Sequence, residues 1–196
     1  MKLIEIMKLF ISILILIFNL QSLTKADVIK EVIIEGVSIG DSLLDIYTED
    51  EIKIATEGTK NWFVNKKYTV SIFENNLETY QRLHIVFLTN DKKYKVKAIA
   101  GLIDYPNNIN ECYKKSENIY SEIKATLPDL KDMGKYEYDH NDDPDSKIVD
   151  YALLNDKDDE VVIACYDYSK SYGATDHLRV GVRLADYTKF LLNDAY

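Results

Sequence analysis

Apolar and polar positions along this chain change period several times, and each change marks an element. Residues 9–20, Leu-Phe-Ile-Ser-Ile-Leu-Ile-Leu-Ile-Phe-Asn-Leu, form an uncharged run. Lys2 and Lys8 precede it against a single Glu5, and the polar stretch Gln21 to Ala26 follows. A positive start, a short apolar middle and small residues at its end (Thr24 and Ala26) are the pattern of a cleavable secretory signal, with cleavage expected between Ala26 and Asp27. A bilayer span needs about 20 apolar residues, more than this run supplies. No cysteine lies near the cleavage point to carry a lipid, so no membrane anchor is expected after cleavage. The chain therefore divides into a signal peptide, 1–26, and a single domain, 27–196.

Within the domain, Val28 to Glu35 is rich in Val and Ile and reads as a first strand. Ser38 and Asp41 fit a Ser-x-x-Asp cap before a short helix through Leu43, Leu44 and Ile46. Glu49-Asp50-Glu51 opens another brief helix toward Ala55. Tyr68 to Phe73 and Arg82 to Leu88 read as strands, the second with Leu83, Ile85 and Phe87 on one face. Thr89 to Lys93 is a turn, so Tyr94 to Tyr105 should return antiparallel as a long strand. Asn108 or Asn110 can cap the clearest helix, in which Ile109, Cys112, Ser116, Ile119, Ile123 and Leu127 share a face. Pro128 ends it. Asp129 to Ser146 reads as a long acidic loop. Lys147 to Leu154 and Val161 to Asp167 form a hairpin around Asn155 to Glu160. After the loop Ser169 to Gly173, His177 to Leu184 is a last strand and Ala185 to Leu192 a closing helix. Helix then strands, twice, with hairpin links and no crossover helices, predicts an α+β fold: an antiparallel sheet with helices packed on one face.

Charge narrows the partners. The whole chain carries 24 Lys+Arg against 33 Asp+Glu. Without residues 1–26, which hold Lys2, Lys8, Lys25 and Glu5, the balance is 21 against 32, or −11. Such a surface lacks the cationic clusters that phosphates demand, so no nucleic-acid partner is expected, and anionic membrane surfaces repel it. Two cysteines remain, Cys112 and Cys165. In an oxidising compartment an even pair favours a disulfide, the alternative being two buried thiols.

Gly36-Val37-Ser38-Ile39-Gly40 spells G-x-S-x-G, the nucleophile elbow of α/β-hydrolases, and Gly40-Asp41-Ser42-Leu43 spells the block of the GDSL esterases. A serine nucleophile needs a histidine and an orienting acid. The Gly-x-Asn-Asp and Asp-x-x-His blocks that GDSL enzymes share are missing, Asp176 and His177 being adjacent, and both families use parallel sheets. Helix capping by Ser38 and Asp41 is the expected role of this stretch. A GDSL-like secreted serine esterase using Ser42 with His177 is the alternative. In the acidic loop, Asp139, Asn141 and Asp143 place oxygen ligands on alternate residues as calcium loops do, but Pro144 stands where such a loop needs glycine. A solvated loop is expected there, and no cofactor or metal. His84, His140 and His177 lie apart and read as isolated, half-exposed side chains. Fifteen tyrosines suit strands and also allow an aromatic ligand-binding face.

At Gly36 to Leu44, Asn110-Glu111-Cys112-Tyr113-Lys114-Lys115 and Cys165-Tyr166-Asp167, the chain resembles a group of uncharacterised exported proteins of Pelagibacter-like marine bacteria. The resemblance runs over most of the domain and implies no site residues. In architecture, the repeated helix-then-strands unit is similar to β-lactamase-inhibitor-protein and SmpA/OmlA-like domains, which bind other proteins. The resulting expectation is a non-enzymatic exported protein, periplasmic or secreted, that binds a ligand or another envelope or secreted protein.

Overall fold

The computed structural model describes residues 25–196. The predicted signal, save its last two residues, lies outside them. Lys25–Glu31, a seven-residue 3-10 helix, contains the predicted cleavage position. No strand forms over Val28 to Glu35. Glu35 and Gly36 adopt positive φ (52° and 78°), and Ile34 and Val37 exchange backbone hydrogen bonds of 3.0 Å across this tight reversal. Ile29, Ile34, Val37 and Ile39 thereby reach the core from an irregular path that no two-residue period describes. The Glu35 carboxylate accepts the backbone N–H groups of Glu78, Thr79 and Tyr80 at 2.7–3.0 Å. Burial raises its pKa more than any one bond lowers it, but the three bonds together hold it below the usual range.

The expected helix after Asp41 shrinks to a 3-10 turn, Leu43–Asp45. Asp41 Oδ2 accepts from the Ser38 N–H at 2.8 Å, which closes the preceding turn instead of capping a helix. Three α-helices follow: α1, Glu49–Ala55; α2, Ile109–Thr126; and α3, Ala185–Asn193. In α1, Thr48 and Glu51 form a reciprocal capping box, worth about 1 kcal/mol.

Seven strands form one antiparallel sheet: β1, Tyr68–Phe73; β2, Arg82–Leu88; β3, Ala98–Asp104; β4, Lys131–His140; β5, Asp143–Leu154; β6, Glu160–Asp167; and β7, His177–Arg183. Their order is β1-β2-β3-β7-β6-β5-β4. An α1-led group of three strands and an α2-led group of four thus meet at the β3–β7 seam, and the class is α+β. β3 starts later than expected because Asp91 accepts the N–H groups of Lys93 and Lys95 while Tyr94 takes φ 48°. The expected loop from Asp129 to Ser146 is instead β4 and the start of β5, turned at Asn141 and Asp142. A register shift at Asp132 and Gly134 bends this edge strand, as bulges do.

Alternation divides the sheet cleanly. One face presents Leu83, Ile85, Ile99, Leu153, Val161, Ile163, Leu178, Val180 and Val182 to the main core. Helix α2 covers that face through Ile109, Tyr113, Ile119 and Ile123, and the Cys112–Cys165 disulfide fastens it to β6 with Cα atoms 6.0 Å apart. Ile52 of α1 joins the same core. The other face is covered by α3, whose Phe190 packs against Phe63 and Tyr68. The one-sided helical layer therefore describes α1 and α2, and α3 sits opposite. Phe190 is 1 % exposed, and its loss to Ala would cost about 3–5 kcal/mol.

Candidate functional site

The face under α3 is covered at one end only, and the rest of it holds a cleft of about 210 Å³. Its floor follows from register. His84 of β2 lies opposite Ala100 of β3, Ala100 opposite Gly181 of β7, and Gly181 opposite Val162 of β6. The small residues at the centre of this row, Ala100 and Gly181, leave room above the sheet. Gly181 is required there: a Cβ would lie 2.8 Å from the Ile99 carbonyl oxygen and 2.9 Å from the Ala100 Cβ. Ala98 and Ala164 flank the row. Trp62 and Phe63 stand on one side, with Tyr187 and Leu191 from α3, while Tyr138 and Tyr166 stand on the other. The Val64 N–H donates to the Ala195 carbonyl at 2.9 Å, tying the Trp62 segment to the chain after α3.

Three polar side chains in this cleft lack a full set of partners. His84 is 7 % exposed, and neither ring nitrogen has a hydrogen-bond partner. Burial, reinforced by the charges of Arg179 and Arg82, pushes its pKa down to about 3, so the ring is neutral at physiological pH. The Trp62 ring lies 5.7 Å from it. On β5, Asp150 Oδ2 accepts from the Tyr138 hydroxyl at 2.9 Å, while Oδ1 is buried without a donor. Burial raises the Asp150 carboxyl above its usual range, although Tyr138 and Arg183 pull it down. Arg179 of β7 is half-buried and pairs with no carboxylate among the described residues. A buried polar atom without a partner costs roughly 1–3 kcal/mol, so three at one cleft, on His84 and Asp150, form an arrangement ready to hydrogen-bond a ligand.

The sites read from sequence lie elsewhere or take other roles. Ser42 Oγ donates to the Lys93 carbonyl at 2.8 Å. His177 Nδ1 meets the Thr175 carbonyl at 3.0 Å and its ring stacks on Tyr166 at 4.7 Å. Ser42 and His177 make no mutual hydrogen bond, and a nucleophile needs its base within that reach. Asp139 is paired with Lys147, and Asp143 accepts from Ser146 and Ser169. Asn141 sits in the β4–β5 turn between them. Among the described residues, no three His, Cys, Asp or Glu side chains gather to hold a metal. His84 and His177, expected half-exposed, are buried on the cleft side of the sheet. Of the fifteen tyrosines, Tyr138, Tyr166, Tyr187 and Tyr196 line the cleft.

Among the described residues no helix is long and apolar enough to cross a membrane, and the disulfide is consistent with an oxidising, extracytoplasmic location. Comparison with protein-family models, with curated proteins and with solved structures finds no match.

Proposed function

We propose that this protein is an exported, non-catalytic binding module whose small ligand occupies the cleft beneath α3. The observation that carries the reading is His84, buried in the cleft wall with both ring nitrogens unpartnered. A native interior rarely tolerates such a group unless something absent from the fold completes it. The aromatic walls and the small-residue floor fit a ligand pocket, which is mostly apolar with a few convergent polar groups. Export to the periplasm or beyond is supported by the signal pattern at 1–26 and by the Cys112–Cys165 bridge. Kinship with the exported marine-bacterial group would agree with both.

Trp62 is the single tryptophan and lies against His84, so its fluorescence reports on the cleft. Titration with phenol, a neutral aromatic probe, should change that fluorescence saturably. In Ala164→Phe, which fills the floor, the change should vanish while the thermal midpoint holds. An unsaturable response, or one that survives Ala164→Phe, would refute the cleft as a binding site. Mass spectrometry of the periplasmic protein should find Asp27 at its N-terminus. A retained segment before Asp27 would overturn the cleavage reading.

A further inference from the structure

Arg179 stands, in strand order, between the other two polar side chains of the cleft. His84 lies two strands away on β2 and Asp150 two strands away on β5. Arg82 and Arg183 share this face, but Arg82 is paired with Asp104 and Arg183 with Glu160. Arg179 has no such partner among the described residues, yet its charge reaches His84, His177, Tyr187 and Tyr196. A half-buried cation among aromatic rings is an incomplete ion pair, and an anion would complete it. Asp150 presents the converse need, a buried oxygen without a donor. The two occupy one cross-strand row with only Ala164 between them, about 10 Å apart at two strand spacings, and they make no contact with each other. A cavity of about 150 Å³ holds benzene. At about 210 Å³, this cleft has room for one ring with two small substituents.

Resting on the reading of the cleft as a ligand site, we propose that it binds a hydroxylated aromatic carboxylic acid. The carboxylate sits on Arg179, the hydroxyl donates to Asp150 Oδ1, and the ring lies over Ala164 between the aromatic walls. On the other flank of Arg179, neutral His84 donates a ring N–H to the same carboxylate.

Calorimetric titration of the disulfide-intact protein with 4-hydroxybenzoate, benzoate and phenol tests this. 4-Hydroxybenzoate should bind at least tenfold more tightly than either of the others. Arg179→Gln should reduce it to the affinity of phenol and leave phenol unchanged, while Arg179→Lys retains part of the preference. Asp150→Asn should reduce it to the affinity of benzoate. Lys189→Gln, which removes a charge beside a separate hollow near Gly40, should change nothing. Thermal midpoints within a few degrees of wild type establish that the variants fold. Equal binding of acid and phenol, or an equal loss of all three probes in Arg179→Gln, overturns the ligand class and leaves the cleft as a binding site. Failure of every probe, phenol included, overturns both readings.

Discussion

A histidine shut away with both nitrogens unpartnered stays folded only while it stays neutral. Burial pushes His84 down to about 3, and burial likewise takes His177 to about 4, with Thr175 opposing. In the unfolded chain both titrate near 6.5. Above that pH neither state carries the protons, and the pair adds no slope. Below it only the unfolded chain takes them up, so stability falls as pH falls through the window between 6.5 and the native values. The limiting slope is about 1.4 kcal/mol per pH unit for each histidine. Asp150 acts in the opposite sense, because its raised carboxyl accepts a proton first in the folded state. Unfolding free energies from urea titrations at pH 6.5 and 5 should therefore differ by about 3 kcal/mol or somewhat less, and His84→Gln should remove close to half of that difference. A flat profile in the parent protein would contradict the burial of both rings. None of this was legible residue by residue. In His177-Leu-Arg-Val-Gly-Val-Arg183 the polar set alternates with the apolar one, and such a set normally faces water. Only the small residues on the same face, Ala98, Ala100, Ala164 and Gly181, hinted at a floor.

Among the elements, α2 depends most on a single link. Cys112 and Cys165 are 53 residues apart, and closing a loop of that length stabilises by about 4 kcal/mol in the chain-entropy model. Replacing both by Ala should lower the thermal midpoint by about 10 °C in a domain of this size. A shift of only one or two degrees would show that packing of Ile119 and Ile123 holds the helix unaided. Elements with a regular apolar pattern were readable. β1 and β2 match the predicted spans to the residue, and α2 is legible because its apolar positions recur at steps of three and four. The failures have different causes. β4 has no fully buried residue, its Tyr136 and Tyr138 being about half exposed, so no alternation marks it. The segment before Gly36 is β-branched, yet its route is set by the Glu35–Gly36 reversal and by where Ile29 and Ile34 find the core, a tertiary effect that propensity does not contain.

The whole sheet has protected and unprotected parts. β3 and β7 lie at its middle, backed on one side by the main core and bounded on the other by the cleft, while β4 is an open edge. Amide exchange should be slowest at the β3–β7 seam and fastest, among strands, in β4. Equal protection of β4 would mean that something pairs with it. The same topology explains why the cleft could not be read from any motif. Its chemistry comes from His84, Asp150 and Arg179, one on each of three strands, and only the register sets Arg179 and Asp150 in one row with His84 in the neighbouring row.

The seam also bears on how the protein is made. A chain emerges from its N-terminus, so β1, β2 and β3 can pair early. β3, with its apolar Ala-Ile-Ala-Gly-Leu-Ile sequence, then waits with one edge bare for β7, the last strand to appear. On the order of seventy residues separate them, several seconds of synthesis at roughly 5–20 residues per second. During that interval the half-made sheet offers a flat, greasy margin to any passing strand, and the newborn protein is at its most vulnerable where the finished one is most secure.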